Sequence, residues 1–65
     1  MQNLSTLRAK AGLSVTELAR RAGVNAGSIS RIERGMQSPS LATALQIATV
    51  LEVDVAEINF VGRND

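Results

Sequence analysis

The residues of this chain that could do chemistry are few in kind: seven lysines and arginines, six aspartates and glutamates, and a set of serines, threonines and side-chain amides, with no histidine, cysteine or tyrosine. This inventory argues against an enzyme. The usual nucleophile–base pairs need histidine or cysteine, there is no G-x-S-x-G turn or glycine-rich phosphate cradle, and helix caps and ion pairs account for the acids. Scattered carboxylates without histidine or cysteine make no plausible metal-ligand set, so neither a metal nor any other cofactor is expected. What remains is recognition chemistry. A guanidinium presents five N–H donors in a planar fork that fits phosphate and the guanine edge, and arginines and hydroxyls crowd into the segment Ser14–Gly35, SVTELARRAGVNAGSISRIERG.

This segment reads as two short helices joined by a tight turn, the pattern of a helix-turn-helix, and it points to DNA. Ser14 followed three residues later by Glu17 is a capping box, so a helix starts at Val15. Leu18, Ala19 and Ala22 make one apolar stripe, with Glu17, Arg20 and Arg21 off it. Gly23 stops the helix, Val24 turns back to the core, and Asn25 caps the next one. Counting from Ala26 at about 100° per residue, Ile29 and Ile32 fall near 300° and 240°. Gly27, Ser30, Arg31 and Arg34 spread over about 40° to 140°. The second helix therefore buries one side and shows a small, polar, partly basic face on the other. A helix N-terminus binds anions through its free amides, which makes Ser14 and Thr16, at the start of the first of these helices, phosphate-contact candidates. Ser28, Arg34, Ser38 and Ser40 are further candidates, although each serine also has an adequate local role as cap or turn former.

Other elements must hold this pair in place. The spacing of Leu4, Leu7 and Ala11 predicts a helix over Asn3–Ala11 that stops at Gly12. Gly35–Ser40 is a loop, with Pro39 blocking helix and Ser40 capping the next one. Leu41, Ala44, Leu45, Ala48 and Leu51 form the apolar stripe of a fourth helix. Asp54 with Glu57 starts a short fifth helix through Val55 and Ile58.

From Leu4 to Ile58 the sequence resembles the phage-repressor and Cro class of helix-turn-helix domains, the xenobiotic-response-element family of transcriptional regulators. The matching pieces are Leu7-Arg8, Gly12-Leu13-Ser14, Glu17-Leu18-Ala19, Gly23-Val24, Ile29 to Gly35, Ser38-Pro39-Ser40-Leu41, Leu45 and Ile47-Ala48. The resemblance implies an all-α fold, a compact five-helix bundle of the lambda-repressor-like type with helices 2 and 3 as the helix-turn-helix. It also implies that Ala26, Gly27, Ser30 and Arg31 read base edges. Of these only Arg31 has the reach and donor fork for a bidentate bond to guanine, and a phosphate contact is its alternative. Arg8 and Glu33 match a structural ion pair that ties the first helix to the third. The sequence departs from the family at two places. Valine stands at position 15, where glutamine often helps anchor the domain to DNA, and Glu52 stands where glycine is usual, so the fourth helix is expected to end less sharply or run on.

Sixty-five residues with 45% hydrophobic content and a single aromatic residue, Phe60, suit one domain with an aliphatic helical core. A domain of this size buries only ~60% of its unfolded surface. The helix-turn-helix occupies about 14–35, and the tail from Gly62 to Asp65 is expected to fray. Residues 1–40 hold six bases and two acids, a net +4, while residues 41–65 hold one base and four acids, a net −3. The basic half contains the candidate DNA motif. The expected function is sequence-specific DNA-binding transcription regulation, as a repressor or autoregulator on a two-fold symmetric operator in double-stranded DNA. A homodimer would use Ile58, Phe60 and Val61 as its interface, the alternative being that Phe60 folds back on its own domain. A second reading is an antitoxin or adaptor whose main partner is another protein. No apolar run reads as a signal peptide or membrane span, so a cytoplasmic, nucleoid-associated protein of bacterial or phage origin is expected.

Overall fold

The computed structural model describes residues 2–60. Four α-helices follow one another: α1 over Leu4–Lys10, α2 over Val15–Ala22, α3 over Ala26–Glu33 and α4 over Leu41–Leu51. The expected fifth helix is instead one 3-10 turn at Val55–Glu57, so the five-helix expectation is corrected to four α-helices among the described residues. Its start signal is present: the Asp54 carboxylate accepts from the Ala56 amide at 3.0 Å and the Asp54 amide donates to Glu57 at 3.1 Å. A cap starts a helix but cannot extend it. Ile58 turns to an extended backbone because Ile58–Asn59 (β2) pairs in parallel with Gln2–Asn3 (β1), Gln2 opposite Ile58 and Asn3 opposite Asn59. This pairing also leaves α1 without a side-chain cap, since the Asn3 side chain accepts from Asn59 Nδ2 at 3.3 Å instead.

The core is aliphatic. Leu4, Leu18, Ile29, Ile32 and Ile47 are fully buried and bring all four helices to one centre. Burying each contributes about 1.5–3 kcal/mol. The expected stripe on α4 needs correction: its buried residues are Ala44, Ile47, Ala48 and Leu51, whereas Leu41 and Leu45 are 74% and 46% exposed. Leu45 lies about 100° around the helix from Ala44 and falls on the flank. Leu41 sits in the first turn, at the end of the helix that follows the loop.

Helix α4 ends sharply, against the expectation that Glu52 would blunt the stop. Glu52 takes the left-handed conformation at φ 59°, its amide reaches the carbonyls of Ala48 and Thr49, and the Val53 amide closes onto Ala48 at 3.1 Å. Backbone hydrogen bonding imposes a conformation that suits glycine and strains glutamate. Glu52→Gly should therefore stabilise the domain by about 1 kcal/mol, raising Tm by roughly 4–8 °C for a chain of this size. Thermal and urea melts of the two proteins measure this, and an unchanged or lowered midpoint would show that the strain is absent.

Candidate nucleic-acid interface

Helix α2 begins as its sequence requires. Ser14 Oγ accepts from the Glu17 amide at 3.0 Å, and the Ser14 amide donates to Glu17 Oε1 at 2.9 Å. Glu17's carboxyl is held below its usual range, first by the bond from the Ser14 amide, then by the Ser14 side chain, with the positive charges of Arg21 and Arg20 assisting. A carboxyl whose pKa falls on folding stabilises the fold fully above the ordinary carboxylate range, and that contribution fades as pH drops through the lowered value. Glu17→Gln should accordingly lose part of the wild-type acid sensitivity. Urea midpoints at neutral and acid pH test this, and an identical acid decline in both proteins would refute it.

At the other end of α2, Gly23 adopts φ 75° and its amide reaches Ala19 and Arg20. Only Gly23, Val24 and Asn25 separate α2 from α3. The Val24 amide bonds the Ala19 carbonyl at 2.9 Å, and its side chain packs against the core. Asn25 Oδ1 accepts from the Ser28 amide at 2.7 Å. The turn fixes α3 against α2 with Ile29 and Ile32 buried, leaving Gly27, Arg31 and Arg34 exposed and Ala26 and Ser30 half-buried. The four residues expected to face bases thus share one helix, Gly27 and Arg31 exposed on the side away from the buried isoleucines, Ser30 half-buried and Ala26 packed against the core.

The phosphate candidates divide by what already occupies them. The Ser14 and Ser40 hydroxyls serve as caps, Ser40 accepting from the Thr43 amide at 3.1 Å and donating to Thr43 Oγ1 at 3.1 Å. Thr16, Ser28 and Ser38 have hydroxyls with no hydrogen-bond partner among the described residues. Arg34, at the C-cap of α3, is exposed, its Nε bonded only at 3.4 Å to the Ser30 carbonyl. Val15, standing where an anchoring glutamine is common, packs on the core instead.

Arg8 holds this arrangement from behind. Its Nε and Nη2 donate to the two carboxylate oxygens of Glu33 at 2.6 and 3.2 Å, and its Nη1 donates to the Leu13 carbonyl at 2.9 Å. One guanidinium therefore ties α1 to the loop before α2 and to the end of α3. Glu33 raises the already high pKa of Arg8, mainly through the hydrogen bond.

Sequence reasoning missed Gln37. Its Oε1 accepts from Arg31 Nε at 2.8 Å. Gly35, at φ 75°, and the bond from the Met36 amide to the Arg31 carbonyl at 2.9 Å fold the loop back along α3, which brings residue 37 beside residue 31. The available signal was a glycine stop with a polar residue two positions beyond it.

The proposed dimer residues are placed differently from expectation. Ile58 is 5% exposed within the domain's own core, so the expectation that it forms an uncovered apolar end is corrected. Phe60 is half-buried and packs on that core, and Val61 lies outside the described residues. The strand pairing at Ile58 draws this end of the chain inward. Among the described residues the exposed large apolar side chains are Met36, Leu41 and Leu45. A shallow groove of about 380 Å³ lies between the end of α2 and α4, lined by Arg20, Arg21, Leu45 and Val50 among others. No helix among the described residues is long and apolar enough to cross a membrane.

A family of helix-turn-helix domains, HTH_3, matches residues 4–58. A protein of Thermococcus kodakarensis, provisionally named as an HTH-type transcriptional regulatory protein, is 43% identical over 54 residues, which is 83% of this chain and 17% of that protein. The chain thus spans about a sixth of the length of this relative. No solved structure matches significantly. With the matched span running from the start of α1 to the β2 strand, the chain belongs to the helix-turn-helix family HTH_3, of the Cro/C1 type.

Proposed function

We propose that this domain binds double-stranded DNA in a sequence-specific manner and serves transcription regulation, as a repressor or autoregulator pairing as a homodimer on a two-fold symmetric operator. The observation that carries the reading is the exposed face of α3. Gly27, Arg31 and Arg34 stand clear of the bundle while Ile29 and Ile32 on the opposite side are sealed in the core. Such a helix enters the major groove with its N-terminal residues towards base edges. In this reading Ala26, Gly27, Ser30 and Arg31 face bases. Ser14, Thr16, Ser28, Arg34, Ser38 and Ser40, with the free amides at the start of α2, face phosphates. Selection from randomised duplex DNA tests it: an enriched motif is expected, and the absence of any enriched motif would overturn it.

Pairing follows from the small footprint of one module, which reads too few base pairs to be specific alone. Since Ile58 is buried and Phe60 packs on the core, Leu41 and Leu45, one turn apart on α4 and both exposed, are the better candidates for the contact. Replacing both with serine should shift the protein towards monomer in sedimentation equilibrium and weaken operator binding. An unchanged dimer would place the contact elsewhere. The reading as an adaptor for another protein is favoured by one feature, the groove beside Arg20 and Arg21, whose two cations form no ion pair among the described residues. An acidic peptide would suit it.

A further inference from the structure

Arg31, Gly27 and Gln37 form one unit on the exposed face of α3. A Cβ built on Gly27 would stand 3.3 Å from Arg31 Nη1 and 3.4 Å from Asn25 Oδ1, so a side chain at position 27 would press on the guanidinium and require it to give by a few tenths of an ångström. From the other side Gln37 Oε1 takes the Nε hydrogen at 2.8 Å. A guanidinium can meet the two acceptors of guanine, O6 and N7, through either of two forks: Nε with one Nη, or the two Nη groups together. With Nε committed to Gln37, the first fork is closed and the second is left free.

We propose that Gln37, in the loop between α3 and α4, is a specificity-determining positioning residue that holds Arg31 by Nε over the side-chain-free Gly27, so that only its Nη1/Nη2 edge is offered to a guanine. The inference rests on the DNA-binding reading and deepens it. A long exposed arginine loses rotamer freedom when it binds, and fixing it beforehand removes part of that cost and favours one geometry over others. Gln37 lies outside the recognition helix, and its amide nitrogen keeps two donors. Gly27, having no Cβ, lets the guanidinium lie close against the helix without that contact.

The test uses the duplex selected by the wild-type protein and a panel with single base-pair changes at every position, with affinities read by fluorescence anisotropy. The variants are Gln37→Met, Arg31→Ala, the double variant and Gly27→Ala. All the changed side chains are exposed or half-buried at the surface, and thermal melts check that the fold persists. Arg31→Ala should remove a preference of roughly 5- to 150-fold at one position per half-site. Gln37→Met keeps length and loses the acceptor. It should cut the preference several-fold at that same position, leave the other positions unchanged, and have no further effect when Arg31 is already alanine. Gly27→Ala should weaken the same preference even though alanine is the better helix former. If Gln37→Met lowers affinity equally for every duplex, or adds independently to Arg31→Ala, the positioning role is overturned while sequence-specific binding stands. If the wild-type protein selects no motif, the DNA-binding reading itself fails and this inference with it.

Discussion

Raising the salt concentration from 50 to 200 mM should weaken binding of the proposed dimer to its selected duplex by about 10³- to 10⁵-fold, the loss expected for roughly 6 to 10 neutralised phosphates. The upper bound comes from the structure. Of the six bases in residues 1–40, Arg8 is committed to Glu33. Lys10, Arg20, Arg21, Arg31 and Arg34 remain, all exposed, which makes at most five cations per module. A single module using three to five of them would lose only about 40- to 500-fold over the same range. The steepness of the salt titration therefore reports both the electrostatic character of binding and the number of modules engaged. Fluorescence anisotropy at four or five salt concentrations suffices. A nearly flat dependence would sink the DNA reading and promote the adaptor reading, while an intermediate slope would indicate that one module binds alone.

Arg8→Ala should destabilise the fold by ~3 kcal/mol, near the low end of the cost of breaking a buried ion pair from one side. The low end applies because the two side chains are 19% and 11% exposed. The substitution leaves the Glu33 carboxylate without its partner and removes the bond to the Leu13 carbonyl. At about 0.05–0.15 kcal/mol per residue a domain of this size holds only roughly 3–10 kcal/mol in all, so the variant stands at or near the edge of unfolding at ordinary temperature. Arg8→Lys keeps the charge but cannot span both carboxylate oxygens and the Leu13 carbonyl at once, and it should fall between the wild type and alanine. Arg8→Ala with Glu33→Ala should be less unstable than the sum of the two single changes. Urea unfolding of the four proteins decides the matter, and additive losses would show that the pair is no more than two independent surface charges.

How far the sequence could be read depended on whether a signal was local. Ser14 with Glu17, the cap at Asn25, and Gly23 at its left-handed stop all formed as expected, because a cap or a glycine stop is decided within four residues. The same locality explains the partial success at Asp54 and Glu57, where the start signal formed and the helix did not continue. The exposed polar face of α3 was legible too, since the positions of Ile29 and Ile32 fix the opposite side by periodicity alone.

What only the tertiary structure decided involves residues far apart in the chain or competing for one surface. The pairing of Gln2–Asn3 with Ile58–Asn59 joins segments 56 residues apart, and strands of two residues carry no readable period. That pairing turned a fifth helix into one 3-10 turn and moved Ile58 from an expected interface into the core. On α4, periodicity allowed Leu41 and Leu45 to be buried, but the packing of α2 and α3 chose Ile47 and left both leucines in solvent. Glu52 shows the same order of forces: backbone hydrogen bonds at the end of α4 imposed a left-handed conformation on a residue that disfavours it. The link from Arg31 to Gln37 depends on a loop folding back across the end of α3. The sequence by itself determined the four α-helices, the caps that start α2, α3 and α4, and the polar face of α3, because those energies are settled between near neighbours. The tertiary structure decided which apolar residues stay outside and how Arg31 is held, because those outcomes depend on which distant surfaces meet first-rank packing demands in a core with room for only a few side chains.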